Sequence, residues 1–193
     1  YLAERRGGRG GLEQLWEQME GDRGSLAGKL GLRPGQRVAA AFSNVVWDTA
    51  VYEHDKGFDS MYDWVLETIR RFAERPDWHL VVRTHPAETK MLMQETRDRV
   101  IDRIRRDFPK LPSHVTIISP DDPLNSYALT ELADVVLGYS ATIGLEAASS
   151  GRPVVVAGDV HYARRGFTFD VETREDYLPM IERALACREV PPA

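Results

Sequence analysis

Five short apolar runs punctuate the chain: RVAAAF (37–42), WHLVVRT (78–84), HVTIIS (114–119), DVVLGY (134–139) and PVVVAG (153–158). Each is of strand length, and the Val/Ile/Leu content is nearly continuous rather than alternating with polar residues. Strands of that kind are buried on both faces, which requires a parallel sheet covered by helices. The segments between them carry the helical period. DSMYDWVLETIRRFAER (59–75) places Met61, Trp64, Val65, Ile69 and Phe72 on one stripe. ETKMLMQETRDRVIDRIRRDF (88–108) reads as one long charged helix. A helix is expected from about Pro123 to Ala133, another over ATIGLEAASS (141–150) closed by Gly151, and a last one over REDYLPMIERALACR (174–188). Right-handed crossovers turn this order into an α/β fold, a Rossmann-like doubly wound parallel sheet of about five strands.

Ahead of the first strand, residues 1–11 read as a flexible Gly/Arg-rich lead. LEQLWEQME, with Leu12, Leu15, Trp16 and Met19, and then SLAGKLGL have helical spacing. The turn-rich RPGQ at 33–36 marks a boundary, so a lead of 1–32 and a Rossmann-like domain of 33–193 are expected. The 193 residues suffice for a core that buries roughly 70% of the unfolded surface. A balance of 25 basic against 30 acidic residues gives no electrostatic case for nucleic acid. The single Cys187 leaves no intramolecular disulfide and fits a reducing compartment. No run approaches the ~18 apolar residues of a membrane helix, and the start lacks the apolar stretch of a signal peptide. A cytoplasmic location is expected, with peripheral association at an inner membrane as the only membrane contact. The chain opens without Met and reads as a piece of something longer.

In an open parallel sheet, ligands bind outside the carboxyl ends of the strands. The residues there are Ser43-Asn44, His85-Pro86, Pro120-Asp121-Asp122, Ser140-Ala141-Thr142 and Asp159-Val160-His161. Ser140 leaves a buried strand, and its hydroxyl is placed to cap the next helix. Ala141 and Gly144 at that helix start leave room for a ligand, so Ser140 and Thr142 are candidates for holding a phosphate. Thr142 and Glu146, four apart, share one helical face. A carboxylate one turn below an anion site repels phosphate but suits the vicinal hydroxyls of a ribose.

His85 is delivered to the sheet edge because Pro86 cannot continue a central strand, and there it can donate to a phosphate. Arg83 lies on the same face and either adds charge to the site or pairs with Glu88. Asp121-Asp122 fits a helix cap with Pro123 at the first helical position better than a metal pair, so no metal is expected. Ser126 and Tyr127, beside Asn125, open the following helix and border a nucleobase on this reading. His161 belongs to DVHYARRGFTFD (159–170), a loop with Tyr162, Arg164, Arg165 and Phe167 that either closes over a ligand or is simply solvated. The loop SNVVWDTAVYEHDKGF (43–58) is long for its place, and Asn44, Asp48 and His54 are its chemically useful members. Neither a Walker-A sequence, nor GxGxxG after the first strand, nor a GxSxG elbow is present, which removes ATPase, dehydrogenase and hydrolase readings.

HPAE after the second strand, YSATIGLEAASSGRPVVVAG and HYARRGFTFD together resemble the capsule polysaccharide biosynthesis family. VVWDTAVYEHDKGFDSMYDWVLETIRRFAERPDWHLVVRTHP fits the same pattern, and the likeness spans about residues 33–170. These are bacterial glycosyltransferases of the two-domain GT-B fold, among them Kdo transferases. The spacing Ser-x-x-x-x-x-Glu-Ala-x-x-x-Gly-x-Pro-Val is similar to the donor half of many GT-B enzymes. The His-Pro pair resembles the motif with which bacterial sialyltransferases contact a CMP phosphate. The resemblance implies that His85 acts in catalysis, that His85, Ser140 and Thr142 touch the donor phosphate, and that Glu146 touches the ribose. It implies only the C-terminal, donor-binding half, with the acceptor site and general base in a missing N-terminal domain.

The expected function is nucleotide-sugar binding for surface polysaccharide synthesis, with a CMP-linked, Kdo-like donor, a glycan or glycolipid acceptor and no cofactor. The competing readings are an isomerase of the UDP-sugar 2-epimerase type and a non-catalytic domain that binds nucleotide or partner. A glycerophosphate transferase of the teichoic acid type is a nearer variant.

Overall fold

A computed structural model describes residues 23–45, 56–90 and 98–187. In chain order the elements are α1 (Arg23–Lys29), β1 (Arg37–Phe42), α2 (Met61–Ala73), β2 (Trp78–Arg83), α3 (Ala87–Lys90) and α4 (Val100–Asp107). There follow β3 (Val115–Ile118), α5 (Ser126–Leu132), β4 (Val135–Gly138), α6 (Ile143–Ser149), β5 (Val154–Val156), β6 (Phe169–Asp170) and α7 (Tyr177–Ala186). The strands form one sheet in the order β3-β2-β1-β4-β5-β6, and every pairing is parallel.

The pleat sorts the strand residues into two cores. Ala39, Ala41, Leu80, Val82, Val135 and Leu137 face α2, α4 and α7, whereas Val38, Ala40, Phe42, Val81, Val136 and Val154 face α1, α5 and α6. Both faces are covered, as the continuous apolar runs require. Leu26 and Leu30 are buried in the second core, so the described part of the lead packs on the domain. The chain leaves β1 toward β2 on one side and β4 toward β5 on the other, which makes the gap between the ends of β1 and β4 the switch point of the sheet.

The sheet has six strands, one more than expected. β6 consists of two half-buried residues paired with Val155 and Val156, too short to leave an apolar run in the sequence. The single helix expected over 88–108 is also corrected. Arg99 is extended (φ −76°, ψ 143°), and α4 begins anew at Val100. The break is stabilised by Glu88, whose Oε1 accepts the otherwise orphaned Val100 N–H at 3.0 Å.

Two helix caps differ as well. Thr142, not Ser140, stands at the start of α6, because Gly144 N–H bonds the Ala141 carbonyl and delays the first helical turn. Asn125, not Asp122, caps α5, its Oδ1 accepting the Tyr127 and Ala128 N–H groups. Asp122 is occupied with the Leu124 N–H at 2.9 Å and Lys29 Nζ at 3.0 Å. The sequence-predicted helix over 12–20 and the loop residues Asp48 and His54 lie outside the described residues.

The first core holds one polar cluster. Trp64 Nε1 donates to the Tyr177 hydroxyl at 2.8 Å, and Thr68 Oγ1 stands 2.7 Å from that hydroxyl. Since Thr68 gives its own proton to the Trp64 carbonyl, Tyr177 is the donor between the two hydroxyls. Tyr177→Phe would leave a fully buried indole N–H without an acceptor. It is expected to lower stability by about 1–3 kcal/mol, measured by urea unfolding, with no change in m-value.

Candidate functional site

The ends of β1, β2 and β4 and the starts of α5 and α6 enclose a pocket of about 240 Å³ at the switch point. Its wall includes Ser43, Asn44, Arg83, His85, Ser126, Tyr127, Ser140, Thr142 and Glu146. The sequence candidates His85, Ser140, Thr142, Glu146, Asn44, Arg83, Ser126 and Tyr127 thus lie on one pocket, and His161 does not. His161 points away, into a separate open depression with Asp159, Val160, Ala163, Arg164 and Arg165. The reason is its neighbour. The Tyr162 side chain is buried on the Ala141 carbonyl, while His161 stays at the surface of the turn, its ring in edge contact with that of Tyr162.

Hydrogen bonds join the loops around the pocket. Asn44 Oδ1 accepts the Ser140 N–H at 3.4 Å, linking the end of β1 to that of β4. The Tyr127 hydroxyl donates to Glu146 Oε2 at 2.9 Å, linking α5 to α6. The Tyr162 hydroxyl donates to the Ala141 carbonyl at 2.7 Å, fixing the loop after β5 on the Ser140–Thr142 turn. His85 Nδ1 accepts the Ala87 N–H at 3.1 Å, which puts the neutral ring's proton on Nε2.

Arg83 is 2% exposed and makes no ion pair with Glu88, whose carboxylate is turned to Val100. Its terminal nitrogens donate instead to the carbonyls of Ser119 and, at 3.1 Å, Asp122. Burial lowers its pKa to about 10, so it remains a cation at neutral pH. Buried polar atoms of the pocket wall with no hydrogen-bond partner among the described residues include Ser43 Oγ, Ser140 Oγ and Arg83 Nε. In the sequence Ser43 reads as a strand-end residue with no assigned role.

Gly144 plays another part than the one expected. A Cβ there would overlap the Tyr162 hydroxyl and lie 3.1 Å from its Cζ, so the missing side chain accommodates Tyr162 rather than a ligand. Among the described residues, no three His, Cys, Asp or Glu side chains are grouped to hold a metal ion, and no helix is long and apolar enough to cross a membrane.

The described architecture is that of a Rossmann-like α/β domain with a polar pocket where such sheets bind their ligands. The chain matches the family described as capsule polysaccharide biosynthesis protein over residues 36–183, and it belongs to that family. Solved structures share the fold. The β-Kdo 2,4-transferase of Thermosulfurimonas dismutans KpsC has a TM-score of 0.54 and 20% identity over 76% of this chain and 41% of its own. The β-Kdo 2,7-transferase of the same protein has a TM-score of 0.50 and 19% identity over 90% and 51%. UDP-GlcNAc 2-epimerase from Neisseria meningitidis, bound to UDP-GlcNAc, has a TM-score of 0.53 and 16% identity over 82% and 40%. This chain therefore spans about half or less of these structures. No curated protein sequence matched it.

Two predictions follow from this geometry. Gly144→Ala forces Tyr162 off the Ala141 carbonyl and is expected to cost about 1–3 kcal/mol, read as a lower thermal midpoint. Tyr162→Phe in the same background should recover part of that loss by removing the overlapping hydroxyl. The second concerns Glu88, whose carboxyl burial pushes from 4.5 to about 7. A carboxyl with a raised folded-state pKa contributes stability that is complete below about pH 4.5 and lost as pH climbs to about 7. The thermal midpoint should therefore fall between pH 5 and 7.5 in the native protein. In Glu88→Gln, which keeps an acceptor for Val100, that decline should flatten.

Proposed function

We propose that the chain is the nucleotide-sugar donor domain of a bacterial cytoplasmic glycosyltransferase that builds capsule or related surface polysaccharide. The observation that carries this reading is the meeting of His85, Ser140, Thr142 and Glu146 in one pocket at the switch point of a capsule-family chain. Hydroxyls and the His85 Nε2–H suit a phosphate, and the Glu146 carboxylate, steadied by Tyr127, suits the two ribose hydroxyls. The pocket serves as one wall of a cleft. The acceptor, a glycan or glycolipid at the membrane surface, enters from the opposite wall of that cleft.

In the transfer, the bond from the anomeric carbon to the donor phosphate breaks and its electron pair stays on the phosphate. The acceptor oxygen forms the new bond, and its proton passes to a base on the acceptor side of the cleft. His85, Ser140 and Thr142 stabilise the charge gathering on the departing phosphate, which makes His85 the catalytic residue of this half. The Kdo-transfer activity of the two Thermosulfurimonas proteins, together with the His-Pro pair, favours a CMP-linked donor with a Kdo-like sugar.

Calorimetric titration with CMP, CDP, UDP and GDP checks the reading, alongside Ser140→Ala. CMP is expected to bind in preference, and Ser140→Ala to weaken it by about tenfold, some 1.4 kcal/mol. Preferential binding of UDP would change the donor class. Equal binding of all four, unaffected by the variant, would sink the assignment of this pocket.

A further inference from the structure

We propose that Ser43 and Arg83, together with Ser140, form a buried anion-binding cup that takes an oxyanion of the ligand, and that Ser43 is a binding residue in its own right. The proposal rests on the donor reading for the identity of the anion, a phosphoryl group, but the cup itself is read from unsatisfied polar atoms.

Ser43, Arg83 and Ser140 are 2%, 2% and 4% exposed, and all three line the same pocket. Ser43 Oγ, Arg83 Nε and Ser140 Oγ each lack a partner among the described residues. Buried polar groups are nearly always hydrogen-bonded, so three orphans on one wall mark a place where bonds are completed from outside. Their chemistry defines the guest. Arg83 Nε–H can only donate, and hydroxyl protons are free to turn toward the same point, so the complement is a group that accepts several hydrogen bonds at once. A charged oxygen group meets that demand and also answers the buried guanidinium, which has no carboxylate within ion-pairing distance among the described residues.

The backbone holds the three in place. Ser43 N–H donates to the Arg83 carbonyl at 3.2 Å, continuing the β1–β2 ladder by one bond. Asn44, the next residue, holds the Ser140 N–H. Arg83 has one N–H of each terminal nitrogen on the Ser119 and Asp122 carbonyls, which holds the guanidinium in place while its Nε–H has no partner among the described residues. Arginine rather than lysine is needed, because one ammonium cannot both clamp that loop and face the pocket.

Removing an orphaned hydroxyl has an unusual signature. Ser43→Ala should leave the free protein as stable as before or raise its thermal midpoint, while weakening binding of the anion. The experiment compares native protein, Ser43→Ala and Arg83→Lys by calorimetry with CMP and cytidine. Thermal shift is then measured in inorganic phosphate against chloride at equal ionic strength. Native protein is expected to prefer CMP over cytidine, with both variants losing about tenfold in CMP affinity and keeping their affinity for cytidine. Phosphate should raise the midpoint of native protein more than that of Ser43→Ala.

The outcomes separate the two ideas. If CMP fails to bind but phosphate protects native protein and not Ser43→Ala, the cup stands and the donor reading falls. If CMP binds native protein and Ser43→Ala alike, the cup is refuted and the donor reading survives. A lower midpoint for unliganded Ser43→Ala, with unchanged CMP binding, would make the hydroxyl structural and overturn the proposal. So would the absence of any effect of CMP or phosphate on native protein.

Discussion

The site depends on a reversal of direction in the sheet. β1 and β4 lie side by side, yet the chain leaves the first toward β2 and the second toward β5. The two connections therefore diverge, and no helix can close the space over the strand ends. Along its central strands the sheet is covered on both faces by apolar packing. The crevice is the one place where this architecture must leave polar loop residues side by side without covering them. Ser43, His85 and Ser140 are brought together because three strands stop there, not because their neighbours in sequence attract them.

Such a place is costly to maintain. A guanidinium that is almost fully buried gains little from two carbonyls compared with what it gives up in water. Unsatisfied hydroxyls beside it add to the deficit. The fold can carry this because its two cores are large and continuous, with Trp64, Phe72, Leu80 and Val136 fully buried. In the low-dielectric pocket the same groups interact more strongly with a charged guest than they would on the surface. What weakens the empty domain is thus what equips it to bind.

Much of this was legible in the sequence, and the exceptions have physical causes. Five strands announced themselves because doubly buried strands must be apolar at nearly every position. β6 did not, since two half-buried residues on a sheet edge need no such pattern. His85, Ser140, Thr142 and Glu146 could be placed near one another because strand ends in a parallel sheet share an edge. Their partners could not. Whether Arg83 pairs with Glu88 or with carbonyls 36 and 39 residues away depends on where the loop after β3 comes to rest. Gly144 shows the same limit: a small residue at a helix start is consistent with an approaching ligand or an approaching side chain, and only the Tyr162 hydroxyl decides between them. His161 was misplaced because a loop has no fixed period from which to read a side chain's direction.

The bonds between loops give the arrangement its chemical sense. Asn44 to Ser140, Tyr127 to Glu146, Tyr162 to Ala141 and Arg83 to the Ser119–Asp122 loop tie together segments that are far apart in sequence. None of these contacts uses the Ser140 hydroxyl or the Arg83 Nε–H, which have no partner among the described residues. A site built from freely moving loops would have to order each of them on binding, at about 0.5–1.5 kcal/mol for each long side chain immobilised. Here that ordering is done by the protein's own hydrogen bonds before the ligand arrives, so more of the ligand's contact energy is left to hold it. Pre-organisation also matters for transfer itself, since charge growing on a departing phosphate is stabilised best by donors already in position. On the proposed reading, a half-site ordered in this way holds the donor in one orientation as the acceptor approaches.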